Sequence, residues 1–178
     1  MIPDPAKSPP APRADAPQRR VPWWRMSLSA DTWRRTLYVL LALPVGIVCL
    51  PLSILGASTA AARLQRGLAA RLLALHLAQP RSRRVDGRVI GHALLSLPLN
   101  VVAWVLIVYL WGLAVGNLAY PLRPDSDDLA NAWGGPSLAG AWAVHGAAGL
   151  ALLFVAPWIV NAVTAVQGRL LRRMLSSG

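Results

Sequence analysis

The chain has one cysteine in 178 residues, Cys49, so an intramolecular disulfide and a thiolate metal cluster are both excluded. Its three histidines, His76, His92 and His145, stand far apart with no metal-ligand spacing, and no HExxH, GxSxG or P-loop pattern occurs. Paired carboxylates beside an apolar pocket are missing as well. These absences predict a protein that is not an enzyme and that uses no metal or cofactor. Charge is scarce, at 14% of residues, and acidic charge scarcest: seven Asp and Glu stand against 18 Lys and Arg, for a formal net charge of +11. In a soluble protein that balance would point to nucleic acid. Here the arginine clusters abut hydrophobic runs, so contact with anionic lipid explains them better and no nucleic-acid partner is expected. The opening MIPDPAKSPPAPRADAPQRRVPWW lacks the apolar core of a secretory signal. Residues 1–28 read as a disordered Pro- and Ala-rich tail.

What the chain has in abundance is apolar residues, 55% of the total and gathered in blocks, which predicts an all-α integral membrane bundle. Two blocks read directly as spans: 93–116, and 138–163 with Ser137 as its cap. Each is long enough, at about 1.5 Å per residue, to cross about 30 Å of hydrocarbon. An earlier apolar block, 37–62, follows a cap at Ser29 or Asp31 and an interfacial Trp33, Arg34 and Arg35. Pro44, Gly46, Pro51 and Gly56 interrupt it, and a basic amphipathic helix over 63–78 follows. Leu64, Leu68, Leu72 and Leu75 form that helix's apolar face, and Arg63, Arg66 and Arg71 are its candidates for lipid head groups. Three arrangements are compatible with this region: a re-entrant hairpin with the basic helix on the membrane surface, a helix pair in which the basic helix itself crosses, or one crossing.

The connecting segments differ in charge. Residues 79–92 form a basic loop, 117–137 an acidic one with Asp125, Asp127 and Asp128, and 164–178 a basic end. By the positive-inside rule the acidic loop faces out and both termini are cytoplasmic, in a multi-pass plasma-membrane protein whose residues 29–178 form one domain. The aspartates could offer oxygens to a divalent cation, but the remaining ligands and the glycine of an EF-hand loop are lacking, so a solvated loop is expected.

The chain also matches itself. LLALPVGIV, residues 40–48, aligns with LLSLPLNVV, residues 94–102, at five identities in nine positions, and LQRGLAARLL, 64–73, aligns with VQGRLLRRML, 166–175. Two copies of one unit follow, each opening on an apolar Leu-Pro run and closing on a basic amphipathic helix. These runs, with TWRR before the first and WGGPSLAGAWAVH at 133–145, resemble the putative sensor domain family of actinobacterial membrane proteins, the input module often found ahead of histidine kinases. The resemblance covers about Thr32 to Leu175. It implies a bundle of about four membrane helices and a role in signal reception. Two departures stand out: ASTAAARLQRGLAARLLALHLA occupies the place of the family's second apolar span, and no phosphoacceptor-histidine helix or ATP-binding domain occurs in the sequence.

Polar groups within apolar spans are the first functional candidates, because lipid offers them no partners. Asn100, Trp104, Ile107 and Trp111 share one helical face, a stripe suited to a lipid or hydrophobic ligand or to packing between helices. His145 is expected to bond across to Tyr109 at similar depth, with proton sensing as the sharper alternative. Gly112 and Gly116 form a GxxxG, and Ala139, Ala143, Ala147 and Ala151 a small stripe, so these two faces are expected to meet each other or a second copy of the chain. The resulting expectation is a non-catalytic membrane sensor-like protein that receives an envelope or membrane cue and relays it to a separate histidine kinase, regulator or transporter subunit. The alternative is a structural or accessory subunit of a membrane complex such as a transporter.

Overall fold

A computed structural model describes residues 22–77, 87–124 and 129–175. Four helices carry the fold, with no strand among the described residues: α1 (Ala30–Ile54), α2 (Ser58–Leu73), α3 (Gly87–Leu118) and α4 (Leu138–Leu175). Short 3-10 turns at Trp23–Leu28 and Tyr120–Leu122 flank α1 and α3. The tail up to residue 21, the basic segment 78–86 and the aspartates of the acidic loop lie outside the described residues.

α1 starts at Ser29, whose hydroxyl accepts the Thr32 N–H at 3.2 Å, and an Arg35–Asp31 pair at 2.7 Å braces its first turn. The helix then runs unbroken through Pro44 and Pro51. Reversal waits for Gly56, whose φ of +87° lies in the left-handed region that glycine adopts without a Cβ penalty. α2 returns along α1 and buries Ser58, Ala61, Ala62, Gln65 and Ala69. Those side chains are small enough for close approach, and the Cys49 thiol reaches the Ala61 carbonyl at 3.5 Å. The first segment is therefore a helix pair. Its basic helix buries an Ala/Gln face against α1, and Leu64 stays 46% exposed.

Paired contacts fix the helix directions. Along α1, Trp33 stacks on Trp111 of α3 at 4.8 Å, the Ala42 carbonyl meets Asn100, and Gly46 lies against Asn100 and Leu97. As α1 ascends in number α3 descends, so the two are antiparallel. α4 is antiparallel to α3 as well: Trp142 donates to the Leu118 carbonyl at 2.9 Å, Gly149 packs on Ala114, Gln167 reaches Asn100 and Met174 reaches Gly91. Hence α1 and α4 run in the same direction, from the end marked by Tyr120 to the end marked by Leu55 and Leu175. A Ser27 hydroxyl donating to the Leu153 carbonyl ties the chain before α1 to the middle of α4.

The tail's arginines suggested that the chain enters and leaves at the same end, yet α1 begins at the end opposite the terminus of α4. Helix packing sets the direction of α1, and Arg35 joins that packing by donating to the Thr164 hydroxyl of α4 at 3.4 Å.

The interior is narrow. α3 buries Ser96, Asn100, Ala103, Ile107, Leu110 and Ala114, a stripe at alternating spacings of four and three. Val39 and Val160 close on Ala103 and Ile107. α1, α3 from Val89, and α4 are each long and apolar enough to cross a membrane, and only 28–33% of the most apolar stretch of each is buried. The remainder presents large side chains such as Val102, Val105 and Trp158 outward. An apolar surface of that extent belongs in lipid, and the protein is a membrane protein.

Candidate functional site

Five buried polar side chains, Gln65, His92, Ser96, Asn100 and Gln167, gather where α1 crosses α3 beside α2 and α4. The Asn100 amide donates to the Ala42 carbonyl at 3.0 Å, and its oxygen accepts from Gln167 Nε2 at 2.9 Å. A backbone carbonyl can only accept, which fixes the orientation of the Asn100 amide and, through it, that of Gln167. One asparagine thus links α1, α3 and α4. Gly46 makes the space for it, since a Cβ there would stand 3.3 Å from Asn100 Nδ2.

Around this link lies a small cavity of about 20 Å³, room for one water-sized molecule. Tyr38, His92 and Ser96 line its α1–α3 wall, and Gln65 of α2 faces in from the other side. Gln65, His92, Asn100 and Gln167 are 7%, 5%, 6% and 4% exposed. Within that shell three buried atoms have no protein partner: Gln65 Oε1, Gln167 Oε1 and His92 Nδ1. Stranded polar atoms of this kind are uncommon, and three around one cavity mark it as a place to receive something polar. Next to Gln65, Arg66 donates to the Leu175 carbonyl at 2.6 Å and so satisfies the final turn of α4.

A family model described as Putative sensor matches residues 45–175. The chain belongs to the Putative sensor family. No curated protein and no solved structure matches it. The sensor region takes in Gln65, His92, Asn100 and Gln167, with Tyr38 and Ala42 just before it.

In this sensor-family chain the site takes one residue from the expected stripe. Asn100 is central, whereas Ile107 is buried two turns of helix further along, Trp111 stacks on Trp33, and Trp104 faces outward at 36% exposure. The stripe is split because the buried face of α3 passes through Ala103 and Ile107, leaving Trp104 to one side. His145 has a different partner from the expected one: its ring stacks on Tyr120 at 4.1 Å and its Nδ1 lies 2.9 Å from the Ala141 carbonyl, while Tyr109 is 65% exposed. The small faces do not meet. Open space surrounds Gly112 and Gly116, Ala139, Ala143 and Ala147 are exposed, and the close approach of α3 to α4 is made at Ala114 and Gly149. Arg63 and Arg71 are exposed beside the half-buried Arg66. Among the described residues no three His, Cys, Asp or Glu side chains come together as a metal site. Gln65, Gln167, His92 and Tyr38 were not singled out from sequence, although a signal existed: each glutamine is the second residue of one of the two aligned basic segments.

Proposed function

We propose that the chain is a non-catalytic sensor-like membrane protein that receives a membrane or envelope cue and relays it to a separate signalling partner, a histidine kinase or regulator. Membership of the Putative sensor family over residues 45–175 carries this reading. The polar site supports it physically: Asn100 joins three helices, so a change in how those helices cross would alter its bonds, and a change in its bonds would alter the crossing. The Leu55 end is the cytoplasmic one in this reading, because seven arginines lie between residues 57 and 92 and three more at the end of α4. There Arg63, Arg66 and Arg71 meet lipid head groups.

One observation favours the accessory-subunit reading. The GxxxG face of α3 is open at Gly112 and Gly116, as a helix from a transporter or a second copy of the chain would need. Cross-linking in native membranes separates the two, with single photoreactive residues at Val115 on that face and at Arg71 on the basic end. The sensor reading expects a kinase or regulator captured from the Arg71 position. Capture of a permease from Val115, with no signalling protein at either position, would replace it with the accessory reading.

A further inference from the structure

The matched segments found in the sequence meet in space. Pro44 of α1 and Pro98 of α3 are counterparts in the alignment, and the two helices cross antiparallel at that level, where Ala42 and Gly46 meet Asn100 and Leu97. α2 returns along α1 as α4 returns along α3. α1–α2 and α3–α4 are thus two copies in inverted orientation, related by a pseudo-twofold axis perpendicular to the helices, an arrangement that places binding sites at the joint between copies.

The cavity lies on that axis. From the Leu-Pro helices its walls take Tyr38 with its counterpart His92, Ala42 with Ser96, and Val45 with Leu99. From the basic helices they take Gln65 with Gln167 and Leu68 with Leu170. Gly46 and Asn100 are counterparts too, and they differ because a side chain at 46 would occupy the space that the amide at 100 fills.

The chemistry of the guest follows from the three unpartnered atoms. Gln167 Oε1 is free because its Nε2 is committed to Asn100, and Gln65 Oε1 is its mate across the axis. Two carbonyl oxygens ask for a donor, which disfavours an anion. No carboxylate lines the cavity and the neighbouring charges, Arg66 and Arg169, are positive, which disfavours a cation. The space admits one water-sized molecule.

We propose that the cavity is a binding site for one small neutral hydrogen-bond donor, with water as its resident occupant. The guest donates to Gln65 Oε1 and Gln167 Oε1 and accepts from an Nδ1–H of His92, bridging the two inverted copies. The site stands whether or not the protein relays a signal, because it depends only on the packing of these helices.

The test uses the full chain in lipid nanodiscs. In the wild type, a long-lived magnetisation transfer between water and the side-chain signals of Gln65, Gln167 and His92 is expected. Thermal midpoints of Gln65→Leu, Gln167→Leu and the double variant should then show that the second substitution costs less than it does alone, because the first has already released the shared guest. Absence of the water transfer in the wild type overturns the proposal, and this readout needs no variant to fold. Strictly additive losses overturn it as well. A midpoint raised by ammonium, sodium or potassium relative to choline would show a cation in place of the neutral guest.

Discussion

Replacing Gly149 with valine is expected to force α3 and α4 apart. A Cβ at this position would stand 2.9 Å from the Ala114 carbonyl oxygen, the Leu118 backbone nitrogen and Leu118 Cγ. Two of those neighbours are backbone and cannot rotate away, so the helices themselves must shift. Overpacking of a well-packed contact costs typically about 1–3 kcal/mol, and the α3–α4 contact continues to Gln167 and Met174, so the loss should lie at or above the top of that range. Reversible unfolding in mixed micelles measures it. Gly112→Ala and Gly116→Ala supply the contrast: nothing lies within 4 Å of either added Cβ, and alanine is the better helix former by about 0.5–1 kcal/mol. Those two variants should equal or exceed the wild type in stability. A loss at Gly112 or Gly116 comparable to that at Gly149 would mean that α3 presents a different face to α4.

Asn100→Leu carries the second large effect. It removes the bond to Ala42 and strands Gln167 Nε2. Interhelical hydrogen bonds in membranes are themselves modest, averaging about 0.6 kcal/mol. The larger cost is the stranded partner, about 1–3 kcal/mol for each buried polar group left unmade. The bulkier side chain also presses on Gly46, where a contact of 3.3 Å already leaves little slack. An expected loss of about 2–4 kcal/mol follows from these terms. Adding Gln167→Leu to Asn100→Leu should restore part of it, since no stranded amide nitrogen then remains on α4. A double variant less stable than Asn100→Leu would mean that Gln167 contributes chiefly through other contacts.

Much of this architecture was legible beforehand, and the illegible part has physical reasons. The spans showed themselves because an apolar run of that length has few alternatives in water, and both caps, Ser29 and Ser137, sit where the sequence marks them. The first segment was ambiguous because Pro44 and Pro51 read as breaks. In a helix packed on a neighbour the missing hydrogen bonds are tolerated, and α1 passes through both. The direction of α1 is not legible from tail charge, because the helix is held by Val39, Ala42 and Gly46 against α3. At the site, Asn100 stood out as an amide in an apolar run. Gln65, Gln167 and His92 did not, because each lies in or near a basic segment that reads as solvated, and only the crossing of the inverted copies brings them together. The GxxxG does not mark the α3–α4 contact for the same kind of reason: small residues permit close approach on a face, and the face that α4 uses is set by Ala114 and Gly149.

The antiparallel crossing of α1 and α3 underlies the cavity, the inverted copies and the membrane orientation alike, and cysteine labelling in oriented membranes tests it most directly. With Cys49→Ser as background, single cysteines replace Leu28, Leu55 and Leu122, whose side chains are 83%, 81% and 86% exposed. The predicted result is that Leu28→Cys and Leu122→Cys react with an impermeant maleimide from one face of the membrane and Leu55→Cys from the other. Reaction of Leu28→Cys and Leu55→Cys from the same face would contradict it, returning the first segment to a re-entrant hairpin and separating the residues that build the site.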